Sequence, residues 1–363
     1  GSEGSTAASP STSSSSTTIR PADTGEAPAT YPAAWDVPFR TLTVPEVDLE
    51  RGTVDYPAGT TFPPQTRPLP CDVTVERNLE VILRDGTILR TDVVVPTGST
   101  ERLPAIVSWS PYGKDLPTGA PPSVAADRFS GLGKLEGPDA AFWVCHGYAL
   151  VNPDSRGSFA SDGDLMAFGS IDAGDGAEVV EWAAAQDWSN GKVGLAGNSW
   201  LAISQWSIAA ARPPHLAAIA PWNGFDDFHR DLLFQGGIPD LAFARGTTKS
   251  LIKSRTKVED PVAVMERDPL RSDYWEDKRA DLAAVEVPAY VVADGATTLH
   301  KMGTFDAFRR LGSDDTWLRV NDTDEWHDQY LPENEEDLLR FFDRYLKGID
   351  NGIDKYGPAT LYQ

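Results

Sequence analysis

The order of apolar and polar positions divides most of the chain into strands and helices. In the stretch CDVTVERNLEVILRDGTILRTDVVVP, two alternating runs flank Asp85-Gly86, a hairpin signal. LPAIVSWSPYGK and FWVCHGYALVNPDSRG each place a continuous apolar run before a polar loop, the signature of a strand buried on both faces. GDGAEVVEWAAAQ spaces Val179, Val180, Trp182 and Ala183 as a helix does. KVGLAGNSWLAISQWSIAAAR reads as strand, tight turn and helix. LAAIAPWNG, VPAYVVADG and TWLRVND are further strands, and EEDLLRFFDRYLKG is an amphipathic helix closed by Gly348. Strands alternating with helices predict an α/β fold with a mostly parallel sheet covered on both faces.

The remaining segments have a different character. Residues 1–30 are Ser, Thr, Ala, Pro and Gly with almost no bulky apolar side chain, which predicts a disordered arm. Residues 31–71 gain Trp35, Phe39 and Phe62 among many prolines and read as an irregular strap lying on the domain. Core elements fill 72–224 and 287–348. Between them, 225–286 is charged and aromatic with helical pieces, and a helical lid over the carboxyl ends of the strands is expected there. Residues 349–363 read as the start of a C-terminal segment that stops short.

Composition narrows the function. The 363 residues carry a formal charge of −22, which argues against nucleic acid and against anionic membrane surfaces as partners. No run approaches the ~18 apolar residues of a membrane span. Cys71 and Cys145 form neither a disulfide framework nor a zinc pattern and are expected to be structural. The opening Gly-Ser without methionine reads as a processed or engineered start, with no signal peptide visible, so a cytoplasmic and a secreted location both stay open.

Chemistry centres on VGLAGNSWLA, residues 193–202. A strand entering a helix through a very tight turn strains the turn residue and holds its side chain above the sheet edge. Gly197 and Ala202 are small enough to let helix and strand approach, so Leu201, where G-x-S-x-G would put glycine, is tolerable. Ser199 is therefore a candidate nucleophile; the competing reading is an ordinary serine N-cap.

The run DAGDGAEVVEWAAAQDWSNGKVGLAGNSWLA, with SPYGK before it and DSRGSFASDGD between, resembles the cocaine-esterase and X-Pro dipeptidyl-peptidase (CocE/NonD) type of α/β-hydrolase over roughly residues 72–363. The resemblance implies an α/β-hydrolase fold, no metal and no organic cofactor. It makes Ser199 the acylated serine and Tyr112 the tyrosine whose hydroxyl helps bind the oxyanion, with the backbone N–H of Trp200 as second donor. Fixed donors at that oxygen contribute ~3–4 kcal/mol each. The resemblance also implies a loop beside the site built from Asp154, Arg156, Gly157, Ser158 and Asp162, with ion pairing expected of Asp154 and Arg156. Family members usually continue into a C-terminal jelly-roll, which would begin where this chain ends in GPATLYQ.

A serine needs a base and the base an orienting acid, in chain order Ser, acid, His on this fold. The family's acid column falls near Thr297, so Asp294 is the expected substitute. The Gly-Pro-Trp-x-His stretch is altered to Val320–His327, which makes His327 the expected base, contacting Ser199 and Asp294, with His300 as alternative. His146, His215 and His229 are expected to be structural. Trp222, Phe225, Phe228, Phe234 and Phe243 suggest an apolar acyl or aryl group in the pocket, or core packing alone. The leading expectation is a serine esterase or amidase acting on a small molecule through an acyl-enzyme. One alternative is an X-Pro dipeptidyl-peptidase with Asp226, Asp227, Asp231 and Asp240 receiving the substrate's amine. The other is a binding or tailoring protein on the same fold with a degenerate triad. A homo-oligomer is compatible with all of these.

Overall fold

A computed structural model describes residues 37–42, 47–63, 66–114, 118–250, 252–296, 299–355 and 359–361. The arm expected over 1–30, Thr297 and part of the terminal GPATLYQ lie outside them. Strand β1 (Phe39–Thr41) stands apart from β2 (Gly52–Tyr56), β3 (Val73–Ile82) and β4 (Ile88–Pro96), which form an antiparallel meander. As the alternation around Asp85-Gly86 predicts, β3 and β4 are hairpin partners. Next come β5 (Leu103–Val107), β6 (Ala149–Pro153), β7 (Ser189–Asn198) and β8 (Leu216–Trp222). The last are β9 (Lys257–Glu259), β10 (Ala289–Asp294), β11 (Thr316–Asn321) and β12 (Ala359–Leu361).

Ten of these strands make one sheet in the order β12-β11-β10-β8-β7-β5-β6-β4-β3-β2, parallel from β12 to β6 and antiparallel beyond. Strands β5, β6 and β10 are buried at every position, because helices cover both faces. Side chains alternate across the sheet with a period of two. Val193, Leu195 and Val291 face α2 (Gly169–Ala184) and α3 (Trp200–Ala210), after which Ala196 and Val292 face α1 (Ala140–Trp143) and the C-terminal helix. Helices α4 (Leu241–Ser250), α5 (Pro261–Arg267) and α6 (Asp273–Asp277) lie in the insertion, and α7 (Lys301–Arg310) follows β10. The apolar stripe of α8 (Pro332–Leu346) buries Leu338, Phe341, Phe342 and Leu346, each worth ~1.5–3 kcal/mol on removal from water. No helix of the described residues is long and apolar enough to cross a membrane.

The insertion builds a third core of its own. Phe225, Phe228, Leu232, Leu233, Val264 and Trp275 pack against Leu165 and Phe168 and onto Trp200 and Ile203 in the first turn of α3. Its β9 pairs with β1, register Phe39 to Glu259, so the N-terminal segment clasps the insertion.

Two sequence expectations are corrected. The strap over 31–71 is more than a covering, since β2 is the edge strand of the main sheet; its exposed alternate positions concealed the pairing. Cys71 and Cys145 form a disulfide, Cα–Cα 5.7 Å, tying the approach to β3 to the turn after α1. Two cysteines 74 residues apart carry no spacing signal, and only the folded chain brings them together. A cross-link closing a loop of that length is worth about 4 kcal/mol in the chain-entropy account.

Candidate active site

Ser199 sits between the last residue of β7 and the first of α3 with φ 56° and ψ −117°, a backbone state that costs a non-glycine residue free energy. The surroundings hold it there: its N–H donates to the Trp222 carbonyl at 3.0 Å, and its own carbonyl accepts from Ile203 at 2.9 Å. Its side chain makes no helix-capping hydrogen bond, so the N-cap alternative does not describe it. The tight turn depends on two glycines. At Gly197 (φ +135°) a Cβ would fall 2.4 Å from Leu201 Cδ2, so the leucine that breaks the usual motif packs into the space the glycine leaves. At Gly224 a Cβ would lie 2.8 Å from Ala202 Cβ, which explains the small residue three after the serine.

The ring that meets Ser199 is His300. Its Nε2 lies 3.1 Å from Ser199 Oγ, and the ring stacks on Phe225 with centroids 5.6 Å apart. His300 precedes α7, where its carbonyl receives the Thr304 N–H and hydroxyl, both at 2.9 Å. Glu325 Oε2 also approaches Nε2, at 3.4 Å. Nδ1 of the buried ring has no hydrogen-bond partner among the described residues.

The expected positions of His327 and Asp294 are corrected. His327 turns outward, its side chain 47% exposed and its Nδ1 2.8 Å from Asp328 Oδ1. The cause is a local turn: Asp324 accepts the N–H groups of Trp326 and His327, which sends Glu325 inward and His327 to solvent. Asp294 is the final residue of β10, in register with Asn321, and its N–H donates to Asn223 Oδ1 at 2.8 Å. It belongs to the strand rather than to the loop, and the orphaned Nδ1 of His300 receives no carboxylate from it. The other three histidines are occupied elsewhere. His146 Nδ1 bonds the Phe142 carbonyl, His215 pairs with Glu181, and His229 bonds the Pro269 carbonyl.

Tyr112 borders the same space, its ring 6.0 Å from that of Trp200. Burial, then the charge of Glu136, push its phenol well above the ordinary range, with the Ser199 hydroxyl opposing. The phenol stays a proton donor. Trp200, first residue of α3, has a backbone N–H without an intrahelical acceptor. In the neighbouring loop, Arg156 pairs with Asp175 at 2.7 Å and Asp85 at 2.9 Å, and Asp154 Oδ2 accepts the Ala160 N–H.

A cavity of about 580 Å³, counting its mouth, opens beside Ser199 and His300. Leu165, Phe168, Ile203, Phe225, Phe228 and Leu232 form much of its wall. Of the five aromatics expected there, Phe225, Phe228 and Phe243 line it; Phe234 packs in the same core behind the wall, and Trp222 belongs to a neighbouring core. Among the described residues its one acidic lining residue is Glu259, which is paired with Lys278 at 3.2 Å and accepts the Tyr274 hydroxyl at 2.5 Å. The lid carboxylates are likewise engaged. Asp226 meets Arg310 at 2.8 Å, Asp227 meets Arg271 at 2.8 Å, and Asp240 accepts the Phe243 N–H.

Sequence reasoning missed Glu325 and Glu136. Glu325 stands one place before a Trp-His pair that drew attention to the histidine. Glu136 lies in a loop without a motif, and its carbonyl accepts the Asn198 N–H at the back of the turn.

Comparison with known proteins agrees with this architecture. Residues 85–261 match the X-Pro dipeptidyl-peptidase (S15) family, a span that holds Ser199 and Tyr112 and ends before His300 and Glu325. Cocaine esterase of a Rhodococcus species is 32% identical over 157 residues, 43% of this chain and 25% of that protein. A Mycobacterium bovis protein carried under a provisional serine-esterase name is 34% identical over 171 residues, 44% of this chain and 26% of that one. These matches span about a quarter of each curated relative. The crystal structure of a CocE/NonD family hydrolase from Staphylococcus aureus superposes with a TM-score of 0.78 at 32% identity, covering 88% of this chain and 58% of that one. With the sheet order, the strained serine and these likenesses in agreement, the chain has an α/β-hydrolase fold and is similar to the CocE/NonD-type hydrolases.

Proposed function

We propose that the protein hydrolyses carboxylic esters, and amides more slowly, through an acyl-enzyme on Ser199. The observation that carries this reading is Ser199 Oγ, held up on a strained backbone, 3.1 Å from His300 Nε2. In the reaction His300 takes the hydroxyl proton as Oγ bonds to the substrate carbonyl carbon, and the carbonyl electron pair moves to oxygen. The Tyr112 hydroxyl and the Trp200 N–H are the donors for that oxygen. Collapse expels the alcohol, which receives the proton from His300, and water repeats the sequence to release the acid.

The cavity favours an ester with an apolar acyl or aryl group. Its walls are hydrocarbon, and Glu259, Asp226 and Asp227 are already paired with cations, leaving these carboxylates committed rather than free to meet the amine of an X-Pro peptide. Turnover of p-nitrophenyl hexanoate, p-nitrophenyl acetate and an X-Pro p-nitroanilide, each with native and Ser199→Ala protein, tests the proposal. The expected order is hexanoate first and the anilide last, with Ser199→Ala lowering ester turnover by roughly 10³-fold or more. Equal turnover by the alanine variant, or preference for the anilide, contradicts it.

A further inference from the structure

The fold's usual triad takes its acid from the loop after one late strand and its histidine from the loop after the next. Here the histidine follows β10 and a carboxylate, Glu325, follows β11. Both converge on one atom: Nε2 of His300 is 3.1 Å from Ser199 Oγ and 3.4 Å from Glu325 Oε2. Oε2 of Glu325 is buried and makes no hydrogen bond among the described residues, so this approach is its polar contact. On the far side of the ring, Nδ1 has none. Resting on the proposed serine chemistry, we propose that Glu325 is the positioning residue of a reversed-order triad, Ser199–His300–Glu325, in which the carboxylate acts at the serine-facing nitrogen of the histidine.

The charge logic follows from that geometry. When neutral, Nε2 offers its lone pair to the Ser199 hydroxyl. After proton transfer Nε2–H is positive, and Glu325 stands beside it as counter-ion until the proton passes to the leaving alkoxide. A nearby opposite charge favours the protonated ring, which is the state formed in the transition state. In the usual arrangement the acid also fixes the tautomer through Nδ1. Here stacking on Phe225 and the anchoring of the His300 carbonyl at the start of α7 orient the ring instead. Glu136, the neighbouring carboxyl, already accepts from the Trp326 indole.

The test measures the rate at which a fluorophosphonate labels Ser199, with kcat and KM for p-nitrophenyl hexanoate, in native, Glu325→Gln and Glu325→Ala proteins, the last with and without formate. Glu325→Gln keeps the volume and removes the charge. The expected result is at least ~10-fold slower labelling and an equal loss in kcat, with KM within about threefold. Formate should restore a several-fold share of the loss in Glu325→Ala. Labelling and kcat within about twofold of native in Glu325→Gln overturn the inference while leaving the serine–histidine reading in place. A loss carried by KM and not rescued by formate, or failure of both variants to fold, makes Glu325 a structural residue and overturns it too. If the native chain takes no label, the serine–histidine reading fails first and this inference with it.

Discussion

The indole N–H of Trp326 donates to Glu136 Oε1 across 2.8 Å, joining the loop after β11 to the loop behind the nucleophile turn. Two further bonds reinforce the join, both to the Glu136 carbonyl at 2.9 Å: one from the Asn198 N–H, one from Gln329 Nε2. Glu136 itself stands at φ 65° and is buried. One residue thus couples the end of β7, which positions Ser199, to the segment that carries Glu325.

Burial pushes the Glu136 carboxyl up to about 8 from an ordinary 4.5, the Trp326 bond pulling against it and the Glu325 charge adding to it. The folded chain therefore holds this proton more tightly than the unfolded chain. The associated stability is full below about 4.5 and is lost as pH rises through about 8. Glu335 is raised to about 8 as well, so the comparison must isolate Glu136. Urea midpoints at pH 5 and pH 8.5 should show the native chain losing stability relative to Glu136→Gln as pH rises. Ionised Glu136 would leave the Tyr112 phenol protonated but set a negative charge near the oxygen that gains charge in the reaction, so native kcat should fall above about pH 8 and the variant's should not. A native-minus-variant difference independent of pH would show that this carboxyl does not titrate there.

Tyr112→Phe removes one proposed oxyanion donor and almost no volume. A kcat lower by ~10²–10³, with KM nearly unchanged, is expected. If KM alone moves, Tyr112 touches the substrate rather than the developing charge.

Much of the fold was legible because burial on both faces leaves a continuous apolar run. Strands β5, β6 and β10, and the stripe of α8, are read from LPAIV, YALVN, PAYVV and LLRFF alone. β2 was not, because an edge strand with exposed positions carries little pattern. The nucleophile turn was legible for a similar reason, since small residues crowd where helix meets strand. The other half of the site was harder. Whether Glu325 or His327 faces inward depends on how Asp324 turns the backbone, a matter of two hydrogen bonds rather than of residue type. The pairing of Cys71 with Cys145 likewise exists only in three dimensions.

Everything proposed for the site turns on the activation of Ser199 by His300. It is tested most directly by fluorophosphonate labelling and peptide mapping of the native, His300→Gln and His327→Gln proteins. One label on Ser199 is expected in the native chain, the same rate in His327→Gln, and a rate lower by roughly 10²-fold or more in His300→Gln. Native-rate labelling of His300→Gln, or a loss confined to His327→Gln, would contradict it.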